Sequence, residues 1–95
     1  MHARILTITM RAEELEGMVQ RYREVIVPSA KAQPGFQGLL LLTDAATGRA
    51  HSITFWDDAE QGWDQAEYQR LLYAFGDTMT IQSFSRESLE VRVRV

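Results

Sequence analysis

The chain has 95 residues, 45% of them hydrophobic and 24% charged, and a net charge of −3. That describes one small globular domain with a modest core, and nothing in its acidic balance suggests binding to nucleic acid or to an anionic membrane. The absence of cysteine excludes disulfides, thiolate catalysis and Cys-based zinc or iron–sulfur centres.

The first residues, Met1-His2-Ala3-Arg4, run straight into an apolar strand pattern. No charged segment, long apolar stretch and cleavage site precede it, so no secretory leader is expected. The longest uninterrupted apolar run, Leu39–Leu42, is too short to span a membrane, and a cytoplasmic location is expected. Residues Ala3–Met10 are rich in β-branched and aliphatic side chains and form a predicted first strand. The period then changes. Between Glu13 and Ala32 the residues Leu15, Met18, Val19, Tyr22, Ile26 and Ala30 recur at spacings of three and four, the stripe of an amphipathic helix. Glu13, Glu14 and Glu16 complement the positive end of its dipole. Pro28 is expected to kink or end its regular part.

Pro34-Gly35 marks a turn into a second strand, Phe36–Thr43, and Asp44–Gly48 supplies turn residues for a hairpin. Arg49–Trp56 is the antiparallel third strand. Asp57 or Asp58 is placed to cap a second helical region over Ala59–Phe75, with Gln61 at capping-box spacing from Asp58. Gly76-Asp77 is expected to end it. Thr78–Arg86 reads as part extended and part loop. Ser88–Val95 alternates apolar and charged residues and is the cleanest strand pattern in the chain. The order is β-α-β-β-α-β: an α+β, ferredoxin-like fold with a four-stranded antiparallel sheet, in one domain over residues 1–95.

In such a fold both helices cover one sheet face, and a face left to water should be polar. Here both faces are apolar. Alternation places Phe36, Leu40 and Leu42 against Leu39 and Leu41, Ile5 against Leu6, Ile8 and Met10, and Ile53 and Phe55 against Trp56. A monomer would expose apolar surface on the order of several hundred Å², which soluble monomers rarely do. Two copies packed sheet to sheet, helices outside, satisfy the pattern, so a homodimer is expected. The charges at Glu90, Arg92 and Arg94 suit an edge strand, or one that reaches onto the partner.

The stretch Pro34-Gly35-Phe36-Gln37-Gly38-Leu39-Leu40-Leu41-Leu42, a hairpin, then Ser52-Ile53-Thr54-Phe55-Trp56-Asp57-Asp58 resembles the antibiotic biosynthesis monooxygenase family of dimeric α+β barrels. The resemblance implies a homodimer of ferredoxin-like units, each with a pocket between helices and sheet. It also implies activities ranging over cofactor-independent oxygenation of polycyclic aromatics, quinol oxygenation and haem degradation, alongside members with no known activity. Haem-degrading members use an Asn on the first strand, a Trp, and a His on the second helix. This chain has no Asn, its histidines are His2 and His51, neither on a predicted helix, and Gln65 stands nine residues after Trp56, where many relatives carry a His. Haem degradation of that type is therefore not expected, and no cofactor is expected.

His51 is the candidate proton-handling residue, on the strand face of Ile53 and Phe55. A lone His without an acidic partner equally describes a partly buried histidine satisfied by a strand neighbour. Trp63, Tyr68 and Tyr73, with Trp56 and Phe75, form an aromatic run that would wall an aromatic-substrate pocket or simply pack helix against sheet. Tyr22 is placed to reach a substrate carbonyl or phenol, or to close the core with its hydroxyl at the rim. Asp57, Asp58 and Glu60 belong to a helix start rather than to a carboxylate pair. The glycines at 35 and 38 match no phosphate loop, and no metal site is expected. The expected function is a cofactor-independent monooxygenase-like protein binding a small aromatic or polycyclic substrate. The alternative is a non-catalytic dimeric small-molecule-binding or accessory protein, with neither nucleic acid nor membrane as partner.

Overall fold

A computed structural model describes residues 1–76 and 80–95. Four strands, β1 (His2–Met10), β2 (Phe36–Asp44), β3 (Arg49–Trp56) and β4 (Ile81–Glu90), form one antiparallel sheet in the order β2-β3-β1-β4. This is the ferredoxin-like arrangement. The helical layer lies on one face. It comprises a short 3₁₀ turn (Ala12–Glu14), α1 (Leu15–Arg21), a π-helical turn (Tyr22–Ile26), α2 (Val27–Lys31) and, after β3, α3 (Gln65–Gly76). Among the described residues no helix is long and apolar enough to cross a membrane.

The stripe over residues 12–31 folds as expected, but its discontinuity lies ahead of Pro28. The chain widens into a π turn in which Val27 N–H bonds the Tyr22 carbonyl, and Pro28 then falls in the first turn of α2, where a missing N–H costs little. The buried cluster of Met10, Leu15, Met18, Tyr22 and Ala50 joins this helical run to the sheet. Trp56, fully buried, packs edge-on against Phe36 and Trp63, at centroid distances of 5.6 and 5.4 Å, and donates its indole N–H to Thr54.

Four expectations are corrected. Phe36 does not share a face with Leu40 and Leu42. A bulge between Phe36 and Gly38 turns it to the helix face, beside Trp56. The second helix starts at Gln65 rather than near Ala59, because the Arg4 guanidinium captures the Ala59 and Gln61 carbonyls, which a helix there would need. Its cap is accordingly Asp64, whose side chain accepts from Ala66 N–H, while Asp58 only closes a turn onto Glu60 N–H. The last strand is Ile81–Glu90, not Ser88–Val95. Its register with β1 ends at His2↔Glu90, beyond which β1 offers no further partner. Residues 91–95 leave the ladder after Val91 N–H bonds the Met1 carbonyl, and Arg94 stacks on Phe55 at the outer sheet face. Asp77 and Thr78, at the expected helix end and the start of the following stretch, lie outside the described residues.

Candidate functional site

Ahead of Trp56 the helix-facing positions of β3 are small: Ala50, Ser52 and Thr54. Among the residues of α3 whose burial is described only Leu71 is buried, while Leu72 and Tyr73 remain exposed. Small residues below and a helix standing off above leave a cavity of about 510 Å³ between the sheet, residues 12–31 and α3. Its walls are mainly apolar, with Leu6 and Ile8 from β1, Met18 and Ile26 from the helical run, and Leu71 and Phe75 from α3. This volume suits a small ring system.

Few polar groups reach it. The Tyr22 hydroxyl and the Ser52 hydroxyl hydrogen-bond each other at 2.7 Å. Burial pushes the Tyr22 phenol above its ordinary 10.0, with the Ser52 hydrogen bond a weaker opposing influence. Tyr22 is therefore a neutral hydroxyl at any physiological pH. The same shift has a stability consequence. Below pH 10 both folded and unfolded chains keep the proton. As pH rises past 10 towards the raised folded value, only the unfolded chain releases it, so stability falls. Tyr22→Phe should lose about 1 kcal/mol at neutral pH and show a shallower alkaline decline, read from melting temperatures between about pH 8 and 11.

Trp63 lines the cavity from the irregular segment 57–64 and donates its indole N–H to Ser29 Oγ at 2.9 Å. Ser29 in turn donates to Glu67 at 2.9 Å. Hydrogen bonds from Arg70 first, and from Ser29 second, hold the Glu67 carboxyl below its usual range. At the mouth the Arg86 guanidinium stacks over Tyr68 and Phe84, 4.9 and 5.2 Å from the ring centroids. Among the described residues Arg86 has no carboxylate partner, so its donors are open to a ligand.

The fold thus brings Tyr22, Trp63 and Tyr68 to one cavity and leaves two other expected residues out. Tyr73 is 79% exposed, because the inward stripe of α3 is Tyr68, Leu71 and Phe75, and residue 73 falls on the opposite side. His51 faces away from the cavity. In β3 the residues beside Trp56 in alternation face the helices, so His51 points to the outer face and hydrogen-bonds Thr7 at 2.9 Å. His2 does not line the cavity either. Asp57 accepts from Gln37, and neither it nor Asp58 approaches the cavity lining. Ser52, Arg4 and Arg86 also line the cavity, and the sequence pattern does not single them out. Arg86 has a signal in its spacing from Phe84, visible only once 81–90 is taken as a strand. Among the described residues no group of three or more His, Asp or Glu is placed to hold a metal ion.

A family model described as antibiotic biosynthesis monooxygenase matches residues 1–71. A Streptomyces coelicolor monooxygenase from the gene ActVA-Orf6, solved with nanaomycin D, is 9% identical with a TM-score of 0.74, over 99% of this chain and 89% of that one. Rv0793 from Mycobacterium tuberculosis is 14% identical with a TM-score of 0.71, over 98% and 96%. The haem degrader MhuD of M. tuberculosis is 19% identical with a TM-score of 0.65, over 100% and 99%. At these identities the likeness is one of fold. No curated protein sequence matches the chain.

Proposed function

The chain belongs to the antibiotic biosynthesis monooxygenase family, and on that premise we propose that it acts as a homodimer that binds a small planar aromatic in the cavity between helices and sheet and oxygenates it without a resident cofactor. The observation that carries this reading is the cavity itself: about 510 Å³, walled by aliphatic and aromatic side chains, with a neutral phenol inside and, at its mouth, a cation without a carboxylate partner among the described residues. An electron-rich substrate of the anthrone or hydroquinone class supplies its own electrons. For an anthrone, one CH₂ and one O₂ give one C=O and one water.

The residues then have distinct tasks. Arg86 favours the enolate or phenolate form, whose negative charge it faces at the mouth. Tyr22, protonated throughout, donates to a ring oxygen when it exchanges its Ser52 partner for substrate. Trp63 and Tyr68 hold the ring plane, and the apolar walls exclude water. Proton handling is not given to His51, which lies on the other side of the sheet.

A second reading rests on one specific feature. Tyr22 and Ser52 already satisfy each other, and among the described residues no imidazole lines the cavity and the one lining carboxylate, Glu87, sits on the edge strand. A site so poor in convergent polar groups also suits a dimeric binding or accessory protein without catalysis. Oxygen-electrode traces with anthrone and 1,4-naphthohydroquinone decide between them. Catalysed uptake that falls at least tenfold in Arg86→Gln supports oxygenation. Saturable binding of the same compounds without uptake above the uncatalysed rate would sink it in favour of the second reading.

A further inference from the structure

Trp63 forms a wall of the cavity, yet it belongs to a segment that no ladder or helix holds. Its orientation has to come from side-chain contacts. One is the edge-on stack against Trp56. The other is its hydrogen bond to Ser29. Ser29 is 6% exposed, on the helix that continues from Tyr22. A serine buried in an otherwise apolar stripe needs partners, and it has two: its oxygen accepts from the Trp63 indole and its proton goes to Glu67. The neighbouring Gln33 makes a second bridge, donating to the Ser29 carbonyl and accepting from Asp64 N–H, each at 3.3 Å.

Resting on the reading of an aromatic-binding cavity, we propose that Ser29 is a positioning residue for ligand recognition: its hydroxyl sets the angle of the Trp63 ring and ties that ring to the start of α3. The hydroxyl's two bonds run in one direction, from indole N–H to serine oxygen and from serine proton to carboxylate. Removing it orphans the indole N–H and one carboxylate oxygen together. The ring then turns to find water, and the flat wall that a planar ligand stacks on is lost. A hydroxyl-bearing replacement of slightly larger size keeps the chain of bonds, and an apolar one of the same shape does not. The comparison of Ser29→Thr with Ser29→Val therefore separates hydrogen bonding from volume.

The experiment uses ¹⁵N-tryptophan-labelled protein and the planar probe 2-naphthol. The sequence has two tryptophans, so two indole N–H signals are expected. That of Trp56, bonded to Thr54 and fully buried, is the internal control. In Ser29→Val the Trp63 indole proton should exchange with solvent at least tenfold faster while the Trp56 signal stays put, and the 2-naphthol Kd should rise about tenfold, the loss of one hydrogen bond. Ser29→Thr should stay within about twofold of the parent in both. A parent-like Trp63 exchange rate in Ser29→Val overturns the proposal, as does a Ser29→Thr variant that behaves like Ser29→Val. If 2-naphthol fails to bind the parent protein, the aromatic-cavity reading falls, while indole exchange still decides what Ser29 does.

Discussion

Replacing Leu40 and Leu42 by glutamate together should convert a particle of twice 10.9 kDa into one of 10.9 kDa in light scattering, with the fold of each protomer retained. Both leucines lie on the outer face of β2, away from the helices, and are 50% and 49% exposed in the protomer. Leu89 is 52% exposed on the same face, and Ile53 and Phe55 lie between them. The C-terminal residues cover one corner, where Arg94 stacks on Phe55 and reaches Met1, and leave Leu40 and Leu42 open. Pairing two such faces removes this apolar surface from water at roughly 25 cal/mol per Å². Four glutamates in that interface would each have to lose solvent without a partner, at a cost on the scale of ~3–5 kcal/mol per ion. In the protomer the same positions are half in water, so folding itself is little affected. A parent protein that runs as a monomer, or a double variant that stays dimeric, would contradict the sheet-to-sheet arrangement.

The second large effect is expected at Gly48, where Ala should lower stability by about 2–4 kcal/mol, or ~10–25 °C in melting temperature for a domain of this size. Gly48 ends the β2–β3 hairpin with φ +76°, and a Cβ there would collide with the Met10 carbonyl oxygen. The close approach serves a purpose. Met10 N–H bonds the Gly48 carbonyl at 2.9 Å, and Met10 is a member of the buried cluster. Relieving the clash pulls the end of β1 off the hairpin and disturbs the core. Gly17→Ala is the contrast. It lies in α1, where an added methyl would meet nothing within 4 Å, and should stabilise by about 0.5–1 kcal/mol through helix propensity alone. Thermal melts of the two variants should move in opposite directions.

The element order is legible in the sequence because the periodicity switches cleanly between two and 3.6 along most of the chain. The last strand is not. Ile81–Glu90 contains Gln82, Ser83, Ser85, Arg86 and Ser88, a weak strand pattern that becomes a strand only by pairing along the whole of β1. The stronger alternation after Ser88 misleads, since β1 runs out of residues to pair with it. The start of α3 escapes sequence reasoning for a similar cause: a side chain 57 residues away, Arg4, competes for the carbonyls of that segment.

For the site, the aromatic residues of the second helical region are readable, and helical spacing alone separates Tyr68 from Tyr73. The position of His51 is readable too. Trp56 fixes which face of β3 meets the helices, and an odd spacing from it sends His51 to the other one. Ser29 carries no signal, because a serine in an apolar stripe says nothing about which elements will later bring it an indole and a carboxylate.

Under the proposed function the cavity under α3, and not the apolar outer face of the sheet, receives the ligand. Intermolecular NOEs from 2-naphthol to assigned methyl groups test it most directly. Cross-peaks are expected to Leu6, Ile8, Met18 and Leu71. Cross-peaks confined to Leu40, Leu42 and Ile53 on the outer face would contradict it.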